Sequence, residues 1–422
     1  MKTGRLFCVR KQNEWKWKWR QKRVKLQLDS ARLRRRADVC KRIYPFLLLA
    51  ASEEKWDHID WGFEMLRLLY SEGQAQSQDA LRLGSLVRQI DNVGKAECAL
   101  LVMSGFVVLY RHNPQCHEDI ISALAVIALY AYRSKRNALL AKSGDYLCRI
   151  ALEQEAVTDE TIRAVKQVGM LAIRRKDDAL FREIMSRIMT VFFVKAGDRM
   201  MLTSLLVDWL ERILHQDAET CYNAWRDCFV DSISQRRWTS RAMLELLESC
   251  RSLAGLASIN PYASTMRSFL TDILCYAEAE ESADVQITAV QIVGMAMRNA
   301  VRSYSSALAK PYIIPLVRFG GSLAWRQIRF PILYETGEGR VLKAVWQVFM
   351  LLEKEMEEYD YQGEQDALCT IYELYRTESP ISERDNLFWR SLFAYRKEMY
   401  GNHIPRKAGR LTKRERTNLL RT

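Results

Sequence analysis

The residues best suited to binding chemistry lie near the start of the chain. Trp15, Lys16, Trp17, Lys18 and Trp19 alternate indole and ammonium groups, Arg20, Lys22 and Arg23 follow, and Arg34, Arg35 and Arg36 extend the basic run. Indole rings beside Lys and Arg suit three partners. Single-stranded nucleic acid stacks its bases on aromatic faces, a membrane interface lodges indoles among headgroups, and the acidic body of the same chain offers carboxylates. The alternation continues with period two through Val24, Lys25, Leu26, Gln27 and Leu28, which reads as two short strands around a basic turn. That turn lacks the Asn-Gly or Asp-Gly of a tight hairpin, so a helix placing Trp15 and Trp19 one turn apart is the alternative. These tryptophans and cations form the candidate site for an anionic surface.

Catalytic chemistry has no comparable signature. Walker-type glycines and a Gly-x-Ser-x-Gly elbow are absent, and Phe319-Gly320-Gly321 has no phosphate-binding Lys at motif spacing. His112, Cys116 and His117 put three metal-type donors in one loop, without a second donor pair nearby in sequence. His215 falls on an apolar helix and reads as a packed or capping residue. Cys221 and Cys228 read as small apolar groups, and Asp177-Asp178 and Glu280-Glu281 as helix-end or surface charges. The expectation is a non-enzymatic chain with no catalytic residue, metal, cofactor or identifiable small-molecule substrate. A helical enzyme whose site gathers residues distant in sequence is the alternative.

Charge is segregated. The 422 residues carry a formal net charge of +13, of which residues 1–42 alone contribute +13 and residues 403–422 contribute +6, leaving −6 for residues 43–402. Terminal basic arms of this kind favour polyanions, either nucleic acid or an anionic lipid surface. A run of opposite sign, Glu353, Glu355, Glu357, Glu358, Asp360, Glu364 and Asp366, could receive a basic partner or one of the arms, or could form a solvated helix face.

The elements that position these groups are helices. Only 8 Pro and 18 Gly punctuate a chain that is 49% hydrophobic, too few turn residues for short strands and ample apolar surface for a core. The 10 Cys are scattered without a disulfide framework, which fits a reducing cytoplasm, and residues 46–51 are too short for a signal peptide. The apolar runs 99–110 and 120–132 are each too short to span a bilayer and read as a buried helical hairpin, with peripheral membrane attachment through the arm as a further alternative.

Residues 121–140 align without a gap on residues 162–181. Ile, Ala, Ala, Arg, Lys, Ala and Leu coincide at 121/162, 123/164, 131/172, 133/174, 135/176, 138/179 and 139/180, and residues 287–295 repeat Ile162, Ala164, Val165, Val168, Gly169 and Met170. Apolar stretches at 202–214 and 243–256 occupy the intervening places. A period of about 40 residues holding two helices resembles the HEAT and armadillo class of α-helical repeats. The small residues Ala128, Gly169 and Gly294 at one repeat position allow a neighbouring helix close approach. The expected fold is an all-α solenoid of stacked helical hairpins. Its parts are a basic arm (1–42), a repeat array (43–320), a Gly/Pro-containing interruption (321–340), C-terminal helices (341–402) and a basic tail (403–422). Such a class implies an interaction scaffold with a protein partner, joined by nucleic acid or an anionic membrane surface through the arms.

Overall fold

The computed structural model describes residues 21–22 and 37–400 apart from 74, 236, 260–262, 281, 304–308, 330–336, 360–366 and 379. The arm residues Trp15, Lys16, Trp17, Lys18, Trp19, Arg20, Arg23, Arg34, Arg35 and Arg36 and the tail 403–422 lie outside the described residues. Among the described residues there are eighteen α-helices, three 3-10 segments and no strand. The chain divides into two compact units, residues 1–199 and 200–422.

The first unit holds four helical pairs. They are α1 (Ala37–Ser52) with α2 (Trp56–Ser71), α3 (Ser77–Asn92) with α4 (Ala96–Met103) and α5 (Gly105–His112), α6 (His117–Arg133) with α7 (Asn137–Glu153), and α8 (Asp159–Arg175) with α9 (Asp178–Val194). First helices pack on first helices, α1 on α3, α3 on α6 and α6 on α8, and among the second helices α2 packs on α5 and α7 on α9. The apolar stripes of these helices, such as Ile120, Leu124, Ile127 and Ala131 of α6, are fully or nearly fully buried between layers. A pair cannot cover its own stripe, so stacking is what makes each pair stable. The run 99–110 is not one helix: the chain breaks at Ser104 between α4 and α5, and a 3-10 turn over Pro114–Cys116 leads into α6. Residues 37–42, grouped with the arm by composition, already form the first turn of α1.

The second unit opens with α10 (Arg199–Gln216) and α11 (Glu219–Ser234). It continues with α12 (Ser240–Cys250) and its 3-10 extension Arg251–Ser258, then α13 (Ser264–Ala279), α14 (Ala283–Ser303), α15 (Lys310–Arg329), α16 (Gly337–Tyr359), α17 (Ala367–Glu378) and α18 (Glu383–Tyr400). Here α12 and its extension pack on α14 and α14 on α16, while α11 packs on α13, α13 on α15 and α15 on α18. An added Cβ on Gly294 of α14 would fall 2.7 Å from both methyls of Val348 of α16, so the small residue read from the repeat does permit a close helix approach. Of the expected interruption 321–340, residues 321–329 continue α15 and 337–340 open α16, while 330–336 lie outside the described residues. Pro311, Pro315, Gly320 and Gly321 lie within α15, where Gly320 leaves room for the ring of Phe388, 2.6 Å from where its Cβ would be, and lets α18 seat on the helix.

The first helices of successive pairs open at residues 37, 77, 117, 159, 199, 240 and 283, steps of 40 to 43 residues. The segments 121–133, 162–175 and 287–303 accordingly each lie in the first helix of a pair. The turn that ends these helices is repeated more strictly still. Glu54, Gly94, Lys135, Lys176 and Asp217 all have left-handed backbone, with φ of 56°, 82°, 58°, 54° and 46°, at steps of 40, 41, 41 and 41 residues. At each, the next residue's amide donates back to the carbonyl five positions earlier: Lys55 to Ala50 (3.0 Å), Lys95 to Ile90 (3.3 Å), Arg136 to Ala131 (2.8 Å), Asp177 to Ala172 (3.2 Å) and Ala218 to Ile213 (3.1 Å). This is the Schellman ending of a helix, which satisfies carbonyls that would otherwise lack donors.

Candidate functional site

Of the residues singled out for an anionic surface, Lys22 alone falls among the described residues, exposed in a helical turn with Gln21. The metal-type donors do not converge. Cys116 is buried with its Sγ 3.6 Å from the Ala75 carbonyl, His117 stacks on Tyr110 with ring centroids 4.0 Å apart, and His112 is exposed. Between them the buried Asn113 side chain accepts from the Ala75 amide (2.8 Å) and donates to the carbonyls of Tyr70 (2.8 Å) and Leu109 (3.1 Å), tying the second pair to the first. Among the described residues no three His, Cys, Asp or Glu side chains are placed to hold a metal ion. His215 is exposed in the last turn of α10, so it is not packed.

The described cysteines are free, and most are buried. Burial pushes the thiols up, to about 11 for Cys116 and about 12 for Cys148 and Cys250, which keeps them protonated and unreactive near neutrality. A buried polar group in the second unit is Tyr222, whose hydroxyl donates to Asp272 at 2.6 Å; burial raises both groups' pKa values. A groove of about 250 Å³ runs between α2 and α5, lined by Glu64, Arg67, Leu68, Ser71, Val107, Val108, Arg111 and His112. Its cations are internally matched, Arg67 with Glu64 (3.2 Å) and Arg111 with Glu153 (2.7 Å).

Of the acidic run, Asp360, Glu364 and Asp366 lie outside the described residues, and Glu353 and Glu355 are not free to receive a partner. Glu353 and Glu355 are 5% and 6% exposed and are taken by arginines of the folded body: Arg396 pairs with Glu353, and Arg298 and Arg302 both donate to Glu355, Arg298 at 2.8 Å and Arg302 at 2.7 Å. The hydrogen bond from Arg302, joined by Arg298, holds the Glu355 carboxyl below its usual range. Periodicity alone does not separate them, since Glu357 lies one turn on from Glu353 and Glu358 one turn on from Glu355. The difference is that Arg396 of α18 reaches Glu353 and Arg298 and Arg302 of α14 reach Glu355, while Glu357 and Glu358 stay exposed.

The turns of the third and fourth pairs bring together cations of two kinds. Some tie layers to one another. Arg136 meets the fully buried Asp91 at 3.2 Å, which also accepts from Tyr130 at 2.7 Å. Arg175 lies 4.8 Å over the Tyr132 ring and donates to Asn137, to the Ala131 carbonyl (3.2 Å) and to the Tyr132 carbonyl, while Asn137 donates to Asp177 at 2.8 Å. The other kind, Arg133, Lys135, Arg174 and Lys176, is exposed, and among the described residues their side chains have no hydrogen-bond or ion-pair partner. The signal for these four was present in the sequence as the identities 133/174 and 135/176, which read there only as marks of a repeat.

No family profile matches this chain, and no curated protein matches it. Among solved structures it is similar to a protein described as a circular tandem repeat protein with novel repeat topology and enhanced subunit contact surfaces, at 15% identity, over 91% of this chain and 97% of the other, with a TM-score of 0.35.

Proposed function

We propose that the chain is a non-enzymatic helical-repeat scaffold, HEAT-like in plan, that engages a protein partner along its stacked helices and holds an anionic surface through the basic segments 1–42 and 403–422. The observation that carries this reading is the segregation of charge. A body of net −6 is flanked by segments of +13 and +6, so its electrostatic attraction for polyanions is concentrated in its ends. Tandem helical pairs support the scaffold role, since stacked repeats present long, regular surfaces. Buried, protonated thiols and the scattered cysteines support a reducing, cytoplasmic setting, with peripheral contact at a membrane as one form the anionic surface could take.

The test uses the full-length chain, because removing residues 1–42 would also remove the opening turn of α1. Replacing Lys16, Lys18, Arg20, Lys22 and Arg23 together by Gln is expected to weaken binding to oligonucleotides or anionic vesicles and to flatten its salt dependence. Binding that is unchanged by the substitutions, or indifferent to salt in the unaltered protein, contradicts the reading.

A further inference from the structure

The turn edge of the third and fourth helical pairs has a property that folding does not require. Left-handed backbone at a non-glycine residue costs on the order of 1 kcal/mol, which is why helix ends of this type favour glycine. The second pair follows that rule with Gly94, whereas the third and fourth place lysine at the same point, Lys135 and Lys176. Among the described residues neither lysine side chain has a partner, and neither do the side chains of Arg133 and Arg174 two residues before them. Four long cationic side chains therefore leave two adjacent turns with no interaction to account for them.

Their spacing is fixed. Arg175 and Asn137 clamp the two turns through the Tyr132 and Ala131 carbonyls and Asp177, so the free cations are carried on a rigid step of the stack, where neighbouring helix axes lie roughly 8–10 Å apart. The carboxylates nearby are mostly committed elsewhere. Asp91 is buried against Arg136 and Tyr130, Asp177 caps α9 by accepting from the Leu180 amide at 3.0 Å, and Asp178 is exposed in the first turn of that helix. At the first turn the same edge is acidic, with Glu53 and Glu54, and Lys95 of the second turn is bound to Glu54. Exposed Lys55 also follows Glu54 there, so what sets the third and fourth pairs apart is the repeated Arg-x-Lys of their turns, Arg133 and Lys135 with Arg174 and Lys176.

We propose that Arg133, Lys135, Arg174 and Lys176 form a phosphate-binding rail that contacts a nucleic-acid backbone without reading sequence. This rests on the anionic-surface reading above and extends it from the terminal arms to the folded body. A nucleic acid is favoured over a lipid surface because the rail has no apolar anchor beside it. The exposed residues following each free lysine are Arg136, Asn137 and Ala138 in one turn and Asp178 and Ala179 in the other, and Tyr132 lies beneath Arg175. Interfacial membrane binding needs large apolar side chains next to the cations, whereas counterion release from phosphates needs only charge at fixed spacing.

The test compares three full-length proteins: the unaltered chain, an edge variant (Arg133→Gln, Lys135→Gly, Arg174→Gln, Lys176→Gly) and the arm variant described above. Glycine suits left-handed backbone, so the edge variant is expected to keep its thermal midpoint. The readouts are binding to a mixed-sequence duplex oligonucleotide across roughly 50 to 200 mM salt, and binding to phosphatidylserine-containing vesicles. The edge variant should bind the duplex at least about tenfold more weakly at the middle of that range, and its slope of log affinity against log salt should fall by up to about 3.6, roughly 0.9 for each of four phosphates no longer neutralised. A charge-preserving control, Lys135→Arg with Lys176→Arg, should bind like the unaltered chain. Unchanged duplex binding by the edge variant, with loss confined to the arm variant, overturns the rail and leaves the scaffold reading intact. Binding of neither duplex nor vesicles by the unaltered chain overturns both. Edge-dependent binding to vesicles alone, or loss of binding in the charge-preserving control, also overturns the rail.

Discussion

Two basic clusters of the folded chain use the same side chains for different ends. Around Glu355 in the second unit, Arg298 and Arg302 converge on a carboxylate that is 6% exposed, and their guanidinium groups are consumed in holding α14 to α16. At the turn edge of the first unit, Arg136 and Arg175 do comparable work, but the exposed side chains of Arg133, Lys135, Arg174 and Lys176 have no partner among the described residues. The paired cations neutralise buried carboxylates that would otherwise be left without a counterion. Unpaired ones return nothing to the fold, and two of them sit where lysine is a costlier choice than glycine. The contrast separates charge that builds the structure from charge that is offered to something else.

The largest expected effect lies in the paired cluster. Glu355→Ala leaves two arginines facing one another without a counterion and is expected to lower unfolding free energy by about 2 to 4 kcal/mol, somewhat less than a fully buried pair because Arg302 is partly solvated. Urea titration measures it, and a change below about 0.5 kcal/mol would place the cluster with ordinary surface charge.

Asp91→Ala probes the same distinction inside the turn edge. Losing the hydrogen bond from Tyr130 and the partner of Arg136 is expected to cost about 1 to 3 kcal/mol, with faster amide exchange around α3 and α6. If removing Asp91 is neutral, the edge contains no structural cations and the division between its two kinds fails.

Acid supplies a third probe. Because the folded pKa of Glu355 lies below its ordinary value of 4.5, its contribution is complete above that value and is lost as pH falls through the lower folded value. The unaltered protein should therefore lose stability more steeply than Glu355→Gln between about pH 5 and pH 3, and parallel profiles would count against the assignment.

The smallest effect is expected at the free cations. Lys135→Gly and Lys176→Gly each exchange the strain of left-handed lysine for the greater freedom of unfolded glycine, so each should shift stability by less than about 1 kcal/mol in either direction. A clear destabilisation by differential scanning calorimetry would reveal a structural role that the fold does not display.

Much of the architecture was legible because it depends on local rules repeated in order. The identities at 131/172 and 139/180 mark, respectively, the carbonyls that close the Schellman turns and buried leucines of the second helices. Gly294 announced the close approach that Val348 makes. What was not legible depends on which distant helix arrives. Glu353 and Glu355 look like members of a solvated acidic run until α14 and α18 bring arginines to them. Gly321 heads the expected interruption, yet it stays inside α15, where Phe388 of α18 fills the space beside its neighbour Gly320. For the candidate site, the sequence displayed the arm and its tryptophans openly, but the rail was hidden among repeat identities, since exposure and lack of a partner are properties only of the folded chain.

The most direct measurement is a crossed comparison on one set of proteins: thermal midpoint and duplex affinity for the four-substitution edge variant and for Glu355→Gln. The edge variant is expected to keep its midpoint and lose affinity, while Glu355→Gln loses midpoint and, at temperatures where it is folded, keeps affinity. An edge variant that unfolds early, or one that binds the duplex as tightly as the unaltered chain, would contradict the separation of structural from recognition charge.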